Sequence, residues 1–68
     1  MTPALFAAAG RALFGAHYHG QLAKMLGCAR WTVYRYEKGY HPVPAATAEM
    51  VRARLAGRRD LIDLLLAG

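Results

Sequence analysis

The sequence is short of cysteine, of acid and of long apolar runs, and each shortage removes a class of protein. A single cysteine, Cys28, cannot close an internal disulfide, so a bridge-stapled secreted scaffold is excluded. Four acidic residues stand against nine basic ones, a formal net charge of +5, which puts nucleic acid first among the partners to consider. No apolar run approaches the roughly 18 residues that suggest a membrane span, so no membrane partner is expected. The stretch Thr2–Ala16 resembles a targeting segment only faintly, since it starts without basic residues and Arg11 interrupts it. Paired carboxylates and a glycine-rich phosphate loop are both missing. His17, His19, His41 and Cys28 follow no structural-zinc spacing, and no acid–base partner is fixed beside Cys28. The expectation is therefore a non-enzyme with no metal and no cofactor.

What is present is one small helical domain, residues 1–68. A chain of this length buries only about 60% of its unfolded surface. A deep substrate pocket, or a second domain sensing a small-molecule effector, is not expected. Hydrophobic residues make up 56%, which opposes disorder, although 14 of them are alanine and add little core volume. No segment alternates with period two. The expected fold is all-α, a compact domain of four to five helices in the cytoplasm.

Glycine and proline mark the element ends. Thr2-Pro3 supplies a hydroxyl cap and a proline at the first helical position, opening a helix over about 3–14 that Gly15 ends. Ala4-Leu5-Phe6 recurs eight residues later as Ala12-Leu13-Phe14, which places Leu5, Phe6, Leu13 and Phe14 on one stripe around Ala9. A second helix over about 18–26 turns Leu22, Ala23 and Leu26 inward, and Gly27 breaks it. A third over about 29–38 buries Val33 and Tyr36 and stops at Gly39, after which Pro42 and Pro44 keep the chain extended. Pro44 opens a fourth helix through Met50, Val51 and Leu55. Gly57 predicts a bend, and Asp60 a cap for a last helical segment reaching residue 67.

Residues 21–39 read QLAKMLGCARWTVYRYEKG, two short helices joined at a glycine, which is the local pattern of a helix-turn-helix. Ala23 is small where the next helix must cross, and Gly27 tolerates a positive φ at the turn. Leu22-Ala23, Gly27, Thr32-Val33, Tyr36-Glu37, Gly39 and Pro42 together resemble the DNA-binding domain of lambda-repressor-like (Cro/Xre-type) transcriptional regulators. The resemblance covers roughly 18–42. Ala29 and Cys28 stand where that family often has Ser and Val or Thr, and Tyr18-His19 where a Ser/Thr-Gln pair is common.

The resemblance implies a sequence-specific regulator of transcription. It would be a repressor or autorepressor of phage or mobile-element type, associated with the nucleoid, and one of its settings is an anti-defence operon. With Val33 and Tyr36 inward, Arg30, Trp31, Tyr34 and Arg35 face out, and in this motif the front of the third helix enters the major groove. They are the expected base contacts. Arg35 and then Arg30 suit the O6 and N7 atoms of guanine, and Trp31 a thymine methyl or a sugar, unless it folds back on its own domain. His19, Gln21, Lys24, Lys38, Tyr40 and His41 are the expected phosphate contacts. Glu37 is read as structural. The leucine-rich end exceeds what a small domain buries, so Leu61, Ile62, Leu65 and Leu66 on the segment 58–67 are the expected homodimer interface. Packing of that tail on the first helix remains open. A dimer would match a palindromic double-stranded site. The rival is a helical protein-interaction module, antitoxin-like or an adaptor, using the Trp31–Tyr34 face or the leucine tail.

Overall fold

Helix ends fall where proline and glycine impose them. In the computed structural model, whose described residues are 1–67, α1 spans Pro3–Phe14, α2 His19–Leu26, α3 Arg30–Lys38 and α4 Ala45–Ala67. Thr2 Oγ1 accepts the amide of Leu5 at 3.1 Å and Pro3 occupies the first turn of α1. Gly27 (φ 70°) and Gly39 (φ 77°) close α2 and α3 in the left-handed region that side chains avoid. Neither α2 nor α3 has a capping side chain, because Tyr18 and Ala29 occupy those positions. Each missing hydroxyl costs about 1 kcal/mol, so these two helices depend on tertiary packing. The described residues hold four helices and no strand, and no helix among them is long and apolar enough to cross a membrane.

The core takes a large side chain from each helix. Phe6 of α1, Leu22 of α2, Val33 of α3 and Val51 of α4 are fully enclosed, with Tyr18 wedged in at the entry to α2. α1 lies centrally and touches the other three helices. Its buried stripe runs Phe6, Ala9, Gly10, Leu13, spaced three and four apart. Leu5, expected on that stripe, lies a full 100° round the helix from Phe6 and is 60% exposed. Gly10 is the tightest point. A Cβ there would sit 2.3 Å from the Tyr18 ring, so only glycine lets that ring lie on α1. Tyr36 is half-buried and meets the Phe6 ring edge-on at 5.5 Å, tying α3 to α1.

One expected boundary is absent. α4 runs unbroken through Gly57, and Asp60 lies inside it and caps nothing. A mid-helix glycine costs only about 1 kcal/mol. Good helix formers on both sides (Ala53, Arg54, Leu55, Ala56, Arg58, Arg59) offset that cost. Arg58 also donates to the carbonyl oxygen of Leu13, fastening α4 just beyond Gly57 to the last turn of α1. The fourth and fifth segments are one 23-residue helix, and its overhang stretches the molecule to 43 × 22 × 20 Å.

Candidate nucleic-acid interface

α3 has an inner and an outer face because Val33 is fully buried and Tyr36 and Glu37 turn toward the body. The opposite face presents Arg30, Trp31, Tyr34 and Lys38, with Arg35 half-buried between them. Trp31 does not fold back and stays 59% exposed. The Arg35 guanidinium lies over the Trp31 ring, 3.6 Å from its centre, and its Nη1 points to His41 Nε2 at 3.5 Å. An arginine held on an aromatic face has fewer rotamers to lose when it meets a partner, and the contact itself contributes about 0.5–1 kcal/mol at an exposed site. Arg30 reaches back over Gly20, whose missing side chain leaves room for the guanidinium at the start of α2.

The support beneath this face is a stack of three rings. His19 lies between Tyr18 and Tyr34, with ring centres 4.1 Å apart on both sides. Its Nε2 donates to Glu37 Oε2 at 2.8 Å, linking α2 to α3. That hydrogen bond holds the Glu37 carboxyl below its ordinary range, against a smaller upward push from burial. The Tyr18 hydroxyl is buried without a hydrogen-bond partner, and burial first, then the neighbouring Glu37 carboxylate, pushes its pKa up to about 12. Both groups therefore keep one protonation state across the neutral range.

The expected phosphate set is divided by this arrangement. Gln21, Lys24, Lys38, Tyr40 and His41 are exposed around α3. His19 is not on that outer rim: both its ring faces are covered and its Nε2 is committed to Glu37. Its place is in the scaffold that orients Tyr34. Leu61, Ile62, Leu65 and Leu66 are exposed at the far end of α4, away from α3. The tail does not pack closed on α1. An open groove of about 700 Å³ lies between the two, lined by Leu13, Phe14, Ala53, Gly57, Leu61 and Leu65 among others.

Two structural residues escaped the sequence reading. Tyr18 is a main core side chain, and the signal for it was Gly10 inside an otherwise alanine-rich helix, a mark of close approach. Arg58 is the second: it donates to the carbonyl oxygen of Leu13 and so binds α1. Among the described residues it is Arg59 that approaches Asp63, at 4.0 Å and largely in solvent. Cys28 is half-buried against the core, and burial pushes its thiol up, away from the reactive thiolate. Among the described residues no three His, Cys, Asp or Glu side chains come together as metal ligands.

No protein-family model matches the chain, and no curated protein or solved structure matches it either.

Proposed function

We propose that the protein is a sequence-specific double-stranded DNA-binding regulator of transcription, of the lambda-repressor-like (Cro/Xre) type. It acts as a homodimeric repressor on an inverted repeat. The observation that carries this is the outer face of α3, where Arg30, Trp31, Tyr34 and Lys38 are exposed and Arg35, half-buried between them, is braced by Trp31 and His41. α2 and α3, joined at the left-handed Gly27, are the helix-turn-helix, and α3 is the reading helix.

The chemistry follows from the side chains. Arg35 donates two N–H groups to guanine O6 and N7 in the major groove, a pairing worth about 1–3 kcal/mol of discrimination. Arg30 reads a neighbouring position. Trp31 braces Arg35 and packs its exposed edge on a thymine methyl or a sugar. Gln21, Lys24, Lys38, Tyr40 and His41 hold the phosphates on both flanks and set the register. Residues 21–39 carry Lys24, Arg30, Arg35 and Lys38 against Glu37, a net +3, and Glu37 is turned inward onto His19. Affinity falls with salt with a log–log slope of roughly −0.9 per phosphate neutralised.

Selection of bound duplexes from a random pool is the test. The expected product is a palindromic motif containing guanine, with half-sites about one helical turn apart, near 10 base pairs or a multiple. Enrichment of no motif, together with capture of a protein partner through the Trp31–Tyr34 face, would replace this function with that of a protein-interaction module.

A further inference from the structure

Three rings climb from the core to the surface in one stack. Tyr18 is 1% exposed, the His19 side chain 17% and Tyr34 43%, with ring centres 4.1 Å apart at each step. The Tyr34 ring lies within 8° of parallel to His19 and is the outermost of the three. His19 covers one of its faces. Among the described residues no other ring and no cation lies over the second face. Arg30, one turn earlier on α3, is folded back over Gly20.

The stack is held at its foot and its middle. Tyr18 is wedged against Gly10 of α1, and His19 Nε2 donates to Glu37 Oε2 at 2.8 Å. A ring fixed in this way has little freedom left to lose when a partner meets it. Trp31, the other exposed ring of α3, already carries the Arg35 guanidinium on its face. Tyr34 is therefore the ring that offers an open, oriented, apolar face on the outer side of the helix.

Few groups in the major groove suit such a face. The faces of paired bases are closed to it by their own stacking. The base edges present hydrogen-bond donors and acceptors, to which the face of a ring has nothing to give, and one apolar group, the 5-methyl of thymine. Burial of that methyl against the ring removes apolar surface from water on both sides.

We infer that Tyr34 reads the 5-methyl group of a thymine, and that His19 is the positioning residue that holds the Tyr34 ring for it. This rests on the reading of α3 as the DNA-contacting helix and adds the chemical group that Tyr34 recognises. His19 acts through Tyr34 and touches no base.

Thymine and uracil differ by that methyl alone, which gives the test. The selected duplex, with each thymine replaced in turn by uracil, is titrated by fluorescence anisotropy. At one position uracil should weaken the wild type about fourfold, the equivalent of about 0.8 kcal/mol for one buried methyl group. Tyr34→Phe keeps the ring face and should keep that step. Tyr34→Ala should bind the thymine and uracil duplexes alike. His19→Gln keeps a donor for Glu37 but removes the ring, and should shrink the step below twofold with affinity for the uracil duplex unchanged. A residue needed only for stability would lower both affinities together. Tyr34 is a surface residue, so its variants decide the matter even where His19→Gln loosens the link between α2 and α3.

A wild type indifferent to uracil at every thymine, or a selected motif without thymine, overturns the inference and leaves DNA reading by α3 standing. A step that survives Tyr34→Ala overturns it as well, and one that survives His19→Gln overturns the positioning role. Tighter binding of the single strand than of the duplex would assign the Tyr34 face to an unpaired base instead. A random pool that yields no motif overturns the DNA reading and this inference with it.

Discussion

The two halves of α4 are both rich in apolar residues and meet opposite fates. The first half lays Ala48 and Val51 into the core and Leu55 against its edge. The second half carries Leu61, Ile62, Leu64, Leu65 and Leu66, all exposed, Leu64 by 70%. The reason is reach. α1 has 12 residues, about 18 Å of helix, and α4 has 23, about 35 Å. α1 ends at Gly15 and has nothing left to lay over the far half. Burial depends on what stands opposite a residue and not on its hydropathy alone.

Substitutions that measure each half should therefore separate widely. Phe6→Ala empties the packed half and should cost about 3–5 kcal/mol of unfolding free energy by denaturant titration. A loss of less than 1 kcal/mol would mean that the core is looser than the buried Phe6 implies. Gly10→Ala acts at the same place by crowding. The new methyl group collides with the Tyr18 ring and should cost about 1–3 kcal/mol even though alanine is the better helix former. Stabilisation would show that Tyr18 does not lie on α1.

A smaller effect sharpens the link between α2 and α3. The carboxyl of Glu37 titrates lower in the fold than in the unfolded chain, whose value is 4.5. Its contribution is therefore present above pH 4.5 and lost as pH falls through the lowered folded value. Glu37→Gln should flatten the acid limb of the stability–pH curve in that window. An unchanged limb would remove the His19–Glu37 bond from the account. The smallest effect belongs to the outer end of α4, where Leu66→Ala should change the stability of a single chain by no more than about 0.5 kcal/mol.

Much of the fold was legible because its punctuation is local. Pro3, Gly15, Gly27, Gly39 and Pro44 each act on the backbone where they stand, and the expected ends of α1, α2 and α3 lie within a residue of the observed ones. Gly57 misled because glycine bends a helix only when the flanking segments pull apart, and here Arg58 on Leu13 keeps them aligned. Burial was legible to the extent that it is periodic, as at Leu22 and Val33. The outward position of Arg30, Trp31 and Tyr34 follows from the same period. Contacts between distant segments were not legible. The Tyr18 ring on Gly10, His19 on Glu37 and Arg35 on His41 join residues 6 to 18 positions apart, and no local rule connects them.

The central claim is that the outer face of α3 reads base pairs through Arg35. Fluorescence anisotropy of purified wild type and Arg35→Ala, each against the selected duplex and a scrambled one, tests it directly. The account predicts a loss of about 10- to 100-fold in preference for the selected duplex, the equivalent of about 1–3 kcal/mol, with helicity and association state unchanged. Equal affinity and equal preference in the two proteins would contradict it.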